Sequence, residues 1–347
     1  MANRLIDSAT FDRTIAVIAV NYRSPADTIE CLHSLFSGDR IPYVIVADND
    51  SQDGSIDTIT EWAEGKRSAG VAHPFHLESV KRPVSFPIEY EIRRPGELNR
   101  PVEKPLTIID TGANLGFAGG NNRGLQIALP NRDIDTFWLL NNDTTVGPKT
   151  VSTVKETFER NPDWGMAGTP IRFYHEPEQY QLLNGMRFNK WTGAAGGIGA
   201  GEHVGIPFDA DDVAGQTDFV CGASLIMSRE FVEDVGFLEE RFFLYYEEID
   251  LATRGNRHRI GFVPDAIVYH KEGASAGSAS KLSKRARSPL SEYHHIRSKM
   301  LFASKHYPWL LPLYFAQNLA IIARRVLRRQ PAQVRATVKA TFGRPLG

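Results

Sequence analysis

Residues 14–64 read TIAVIAVNYRSPADTIECLHSLFSGDRIPYVIVADNDSQDGSIDTITEWAE, and two periods alternate within them. Thr14 to Asn21 is a continuous apolar run of the buried-strand type. Asp27 to Ser37 then places Thr28, Cys31, Leu32, Leu35 and Phe36 on one helical face. Tyr43 to Asp48 is a second buried strand, Asp53-Gly54 a turn, and Ser55 to Glu64 a second helix. This βαβα order predicts an α/β fold, with a mostly parallel sheet covered by helices on both faces.

Further along, Lys66 to Lys104 holds five prolines and no clear period, and reads as an irregular surface insertion. The rhythm resumes with a strand at Leu106 to Asp110, a Gly/Asn-rich turn over Thr111 to Gly124, and a helix through Leu129. Thr136 to Leu140 is a fourth strand, and Pro148 to Arg160 a helix with proline in its first turn. Gly193 to Gly205 reads as a flexible loop. Asp218 to Ser228 and Gly261 to His270 are strand candidates. Arg229 to Val235 and Glu247 to Asn256 are helix candidates. After a Ser/Gly/Lys loop over Lys271 to Ser288, two helices are expected, about Ser291 to His306 and Trp309 to Arg329. The expected organisation is a catalytic domain over 1–280, with the insertion at about 66–105, and a C-terminal helical region over 281–347.

The composition narrows the class. The chain has 347 residues, 42% apolar and 23% charged, enough to bury a sizeable core. Two cysteines, Cys31 and Cys221, exclude a disulfide scaffold and a four-cysteine zinc module, and their apolar surroundings suggest packing. No charged and apolar leader opens the residues present, so a cytoplasmic setting is the expectation. The net charge of −1 conceals an asymmetry, because residues 281–347 carry 14 Lys/Arg and only Glu292 as an acid. Such a tail suits an anionic surface.

Ligands of an open parallel sheet bind at the carboxyl ends of its strands. Here those ends are Asn21-Tyr22, Asp48-Asn49-Asp50-Ser51, Asn114-Leu115-Gly116 and Asn141-Asn142-Asp143. Each alone is ordinary turn chemistry; four in succession point to a site. Asp48-Asn49 offers acceptors and a donor to a planar base. Asn114 to Asn122 (NLGFAGGNN) resembles a phosphate loop but lacks the dinucleotide glycine spacing and the P-loop lysine, which argues against NAD. Asp143 can reach a divalent cation that in turn holds a diphosphate, or it can cap the next helix. In Phe242 to Leu251 (FFLYYEEIDL), Glu247, Glu248 and Asp250 either complement a helix dipole or supply a general base in a partly dry site. His270 ends an apolar strand as a further cation or phosphate contact, or a structural histidine.

Taken together, VIAVNYRS (17–24), VIVADNDSQDGS (44–55), NLGFAGGNNRG (114–124), FWLLNNDTTV (137–146), the stretch 218–254 and VYHKEGASAG (268–277) resemble the family-2 glycosyltransferases. The likeness is to the bacterial branch with rhamnosyl- and galactofuranosyltransferases. It implies a GT-A fold and an inverting, metal-dependent transfer from a nucleotide sugar. It assigns Asn21, Tyr22, Asp48 and Asn49 to the nucleoside, and Asn114, Gly116 and Asn121 to the donor pocket. Asn141-Asn142-Asp143 stands at the DxD motif, with Asp143 and His270 on Mg²⁺ or Mn²⁺ and Asn142 beside the donor. Glu248, or its neighbour Glu247, stands where the family has its base. The expected donor is dTDP-rhamnose, then a UDP-sugar. The expected acceptor is a glycan or a polyprenyl-linked glycan used in cell-surface polysaccharide synthesis. The expected place is the inner face of the cell membrane, with the C-terminal helices on anionic lipid and an oligomer possible. A sugar-nucleotide nucleotidyltransferase would want a glycine- and Arg/Lys-rich loop where VNYRSPADT stands. A non-catalytic binding protein would have no need of Asp143, Glu248 and His270. Nucleic acid is not an expected partner.

Overall fold

The computed structural model describes residues 10–70, 83–271 and 288–346. The opening rhythm folds as read. Strand β1 (Phe11–Asn21) is followed by helix α1 (Pro25–Phe36), β2 (Ile41–Asp48) and α2 (Ser55–Ala63). β1 and β2 pair in parallel with Val17 beside Val44 and Asn21 beside Asp48, so the two polar strand ends meet at one edge. A short edge strand, β3 (Tyr90–Arg93), precedes β4 (Leu106–Asp110), helix α3 (Gly116–Ala128) and β5 (Thr136–Leu140). Next come β6 (Thr144–Val146), α4 (Thr150–Arg160), β7 (Trp164–Gly168), β8 (Ile171–Phe173), β9 (Tyr180–Leu182), β10 (Gly185–Asn189), β11 (Ala194–Gly197) and α5 (Ala210–Gly215). The remaining elements are β12 (Phe219–Val220), β13 (Ser224–Ser228), α6 (Arg229–Val235), α7 (Glu247–Arg254), β14 (Arg259–Phe262), β15 (Val268–His270), α8 (Pro289–His306), α9 (Leu311–Leu327) and α10 (Pro331–Thr341).

Eight strands form the main sheet in the order β14-β7-β13-β5-β1-β2-β4-β3. All neighbours are parallel except β13, which runs antiparallel to both β5 and β7. Alternate side chains of the buried strands feed two cores. Val17 and Trp138 pack with Leu32, Leu35 and Trp62 on one face, while Ile18 and Phe137 pack with Leu125, Phe231 and Phe302 on the other. This is the mostly parallel, helix-covered GT-A architecture, with C-terminal helices following the sheet.

Several local expectations are corrected. The stretch Lys66 to Lys104 contains the edge strand β3, and within it Ile88, Leu98 and Val102 are buried; residues 71–82 lie outside the described set. Most of the Gly/Asn-rich turn is the first half of α3. Its glycines serve close packing, since a Cβ at Gly124 would strike Ile18 of β1. Residues 193–205 include strand β11. Asp218 to Ser228 is two strands broken at Cys221-Gly222-Ala223, and Gly261 to His270 spans two strands in different sheets. α4 begins at Thr150, so Pro148 stands before it. A third C-terminal helix, α10, follows the expected two. The loop after Lys271 lies outside the described residues, including the GASAG part of the quoted motif.

Candidate functional site

The end of β1 is held by a buried polar network. Asn21 Nδ2 donates to Asp48 Oδ2 at 2.5 Å and to Ser51 Oγ at 3.2 Å, and Asn21 Oδ1 accepts from Thr28 Oγ1 at 2.7 Å. Asp48 also accepts from the Ser51 hydroxyl and backbone. Asn142 Nδ2 donates to Thr28 Oγ1 of α1 at 2.9 Å, and so β5's end reaches β1's through Thr28. Asn21 is fully buried with its amide occupied, so it shapes the strand ends more than it faces a ligand. Tyr22 stays partly exposed, with the Arg23 guanidinium 5.1 Å from its ring centre.

Asn49 reaches the next motif, its Nδ2 donating to the Gly116 carbonyl at 2.8 Å. Gly116 has φ +69°, and a Cβ there would collide with the Phe243 carbonyl. Phe117 N donates to that same carbonyl at 2.9 Å, so α3's start is locked to the segment before α7. Asn114 is exposed and accepts from Gly116 N, whereas Asn121 is buried and donates back to the Phe117 carbonyl.

Asp143 and His270 lie side by side because β6 and β15 are antiparallel neighbours. His270 Nε2 is 3.1 Å from Asp143 Oδ1 and 3.4 Å from Asn141 Nδ2, while Nδ1 is 2.7 Å from Gln181 Oε1. Gln181 Oε1 can only accept, so Nδ1 carries the proton. Nε2 faces the Asp143 carboxylate and the Asn141 amide, so an imidazole and a carboxylate converge on one point. One carboxylate and one imidazole fit a divalent cation of the Mg²⁺, Mn²⁺ or Zn²⁺ type. Among the described residues no group of three His, Cys, Asp or Glu comes together, so ligand and water oxygens would complete the shell. Gln181, which sequence reading missed, sets the imidazole's tautomer. Gln181→Leu is expected to weaken metal binding by about 10- to 100-fold and to change the His270 ring ¹⁵N shifts in the metal-free protein. Unchanged shifts and unchanged Mn²⁺ affinity would refute that role.

Glu247 and Glu248 open α7 directly after Tyr245 and Tyr246, which have φ of +69° and +73°. Glu248's carboxylate sits against Gly222, where a Cβ would collide with its Oε1. Burial pushes Glu248 up to about 6, against hydrogen bonds from its own backbone and that of Gly222. Glu247 is buried with Oε2 unpartnered, and burial followed by Glu248's charge pushes it well above the usual carboxylate range. Asp250 is the structural member of the trio. Burial opposes its charge, but Lys305, His306 and Arg254 outweigh that and hold it low. The turn Cys221–Ala223 joins the two halves, because Gly222 seats Glu248 and the Ala223 carbonyl accepts from Asn141 N at 3.1 Å. Burial pushes the thiols of Cys31 and Cys221 up to about 12, in keeping with packing roles.

Helix α8 backs this site. Ser298 Oγ donates to the Leu244 carbonyl at 2.9 Å, Tyr245 OH and Ser291 Oγ are 2.8 Å apart, and His294 stacks on Phe243. The sequence offered no cue to these contacts, since each partner lies on an element more than 40 residues away.

No protein-family profile matches the chain. A low-salt glycan biosynthesis hexosyltransferase of Haloferax volcanii, Agl10, is 27% identical over 171 residues, which are 46% of this chain and 50% of that protein. The N-acetylglucosaminyl-diphospho-decaprenol L-rhamnosyltransferase of Mycobacterium tuberculosis is 26% identical over 230 residues, 59% of this chain and 69% of that one. The chain thus spans half the length of the first of these glycosyltransferases. Among solved structures, GalNAc-T7 with UDP, GalNAc and Mn²⁺ superposes with a TM-score of 0.52 at 11% identity, covering 82% of this chain and 47% of that one. That likeness is one of fold.

Proposed function

We propose that the protein is an inverting glycosyltransferase that moves a sugar from a nucleoside diphosphate to a hydroxyl of a glycan or polyprenyl-linked glycan. The observation that carries this reading is the turn Cys221–Ala223, which seats Glu248 at Gly222 and bonds, through the Ala223 carbonyl, the backbone of Asn141, whose amide lies 3.4 Å from the His270 ring that faces Asp143. The curated relatives, both sugar transferases, support it. The strand ends at Asp48, Asn49 and Tyr22 border the nucleoside, and the α3 start at Asn114 and Gly116 borders the sugar. Asp143 and His270 would hold a divalent cation, which would neutralise charge on the leaving diphosphate. Glu248 accepts the acceptor's hydroxyl proton as that oxygen attacks the anomeric carbon. Burial and Glu248's charge push Glu247 well above the usual carboxylate range, which disfavours a second negative charge beside Glu248.

The first donor to test is dTDP-rhamnose, in line with the mycobacterial relative, and UDP-sugars come next. An acceptor on a polyprenyl diphosphate would place the enzyme at a membrane surface on the cytoplasmic side. The deciding experiment is a panel of nucleotide sugars with a soluble acceptor, read by release of nucleoside diphosphate. Release of pyrophosphate instead would favour a nucleotidyltransferase, and no turnover with any donor or divalent metal would favour a binding protein.

A further inference from the structure

Helix α9 packs Leu311, Tyr314 and Ile321 inward yet leaves a second apolar side uncovered. Its inward side carries Tyr314, Asn318 and Arg325, all buried, and neither amide atom of Asn318 finds a partner among the described residues. Its outward side carries Leu313, Ala316, Leu319, Ala320, Ala323 and Leu327, all exposed, with Leu319 at 49% and Leu327 at 84%. These positions recur at three- and four-residue spacing, so they form one strip about 21 Å long at 1.5 Å per residue. Water is a poor neighbour for such a face.

The helix cannot roll to hide it. Arg325 Nε donates to Glu292 Oε1 of α8 at 3.0 Å, and a second guanidinium nitrogen bonds Oε2. Glu292 also accepts from Thr337 Oγ1 of α10 at 2.9 Å. Rotation would strand both buried charges. Exposed aromatic residues of two other segments stand beside this helix. Gln317 Nε2 donates to the Trp191 carbonyl at 2.8 Å. Lys190 Nζ lies 5.8 Å from the ring centres of both Trp191 and Tyr307, and Tyr307 packs edge-on to Trp309. Trp191 and Trp309 are 56% and 65% exposed. Arg324, Arg328 and Arg329 are exposed at the helix's end.

We propose that this composite face lies on an anionic lipid bilayer, with α9 parallel to the surface, its leucines in the acyl boundary and the tryptophans at headgroup level. Among the described residues no helix is long and apolar enough to cross a membrane, which suits a helix lying flat. The charge chooses the occupant. Residues 288–346 carry ten Lys/Arg and one acid, Glu292, so two copies meeting here would repel, whereas anionic headgroups would attract. This deepens the membrane placement proposed above without depending on the transfer chemistry.

The test uses the full chain with vesicles of phosphatidylcholine, alone or mixed with phosphatidylglycerol, read by flotation at low and high salt. The intact protein is expected to float with the mixed vesicles at low salt. The pair Leu319→Glu and Leu327→Glu, and separately the pair Arg328→Glu and Arg329→Glu, should each reduce partitioning about tenfold or more. All four positions are exposed, so thermal melts and nucleoside diphosphate release with a soluble acceptor should stay as in the parent. No flotation at low salt, or flotation unaffected by the leucine pair, would overturn the proposal. Conversion of a dimer to a monomer by the leucine pair, with no flotation of the parent, would assign the face to a second copy. Donor turnover is scored in solution, so loss of that activity and loss of lipid binding are separate results.

Discussion

Glu248→Gln is expected to lower the transfer rate by about 10² to 10⁴, the range a positioned base contributes. Glutamine keeps the shape and can still accept from Gly222, but it cannot take a proton. Donor affinity should change little, because the lost step concerns the acceptor hydroxyl. Glu247→Gln should have a smaller effect, since burial and Glu248's charge push its carboxyl well above the usual range and make it the poorer carrier of negative charge. A normal Glu248→Gln enzyme beside a dead Glu247→Gln enzyme would move the role one residue back. The pH profile offers a second check. With Glu248 pushed up to about 6, kcat/KM should climb as pH rises through that value and level off above it. The same shift acts on stability with the opposite benefit. The raised pKa favours the folded state fully below the unfolded value, and that contribution fades as pH rises through the folded one. A rate limb that persists unchanged in Glu248→Gln would assign the titration to another group.

Asp143→Ala is expected to abolish metal-dependent transfer. A divalent ion supplies several kcal/mol of charge stabilisation, so the loss should be on the order of 10³-fold or greater. Donor affinity should fall with it, which separates this variant from Glu248→Gln. Calorimetry with the nucleotide sugar and Mn²⁺ reads the binding, and product release reads the rate. His270→Ala should be milder and partly recovered at excess Mn²⁺. Full activity of Asp143→Ala in excess chelator would remove the cation from the reading altogether.

Much of the sheet was legible because its central strands are buried on both faces and their residues have no other use. Thr14 to Asn21, Tyr43 to Asp48, Leu106 to Asp110 and Thr136 to Leu140 each fall within or match an observed strand. β7 to β10 escaped because they are short, carry glycine or polar residues, and gain stability from partners distant in sequence. β8, for example, is three residues long and pairs with β15 nearly a hundred positions later. Glycine usually marks a turn, so NLGFAGGNN reads as one, yet here helix–strand contact selects the glycine. At the site, the motif residues were legible as chemistry at strand ends. Their division of labour was not. Only the structure separates Asn21, whose amide is consumed internally, from Glu248, and Asp250, gripped by α7 and α8, from its two neighbours. Gln181 and Gly222 have no local signature at all, since each matters through one partner on another element.

Tyr245 and Tyr246 have an evolutionary consequence. Two successive non-glycine residues in left-handed backbone cost on the order of 1–3 kcal/mol each. Tyr246 OH is meanwhile anchored to the Gly193 carbonyl at 2.6 Å. A library selected for heat tolerance alone should therefore gather glycine or asparagine at 245, where the side chain is only partly buried. A library selected for turnover should keep tyrosine there, because the crank in the chain fixes where Glu247 and Glu248 begin. The two selections pull this position in opposite directions, and its residue in any descendant reports which pressure prevailed.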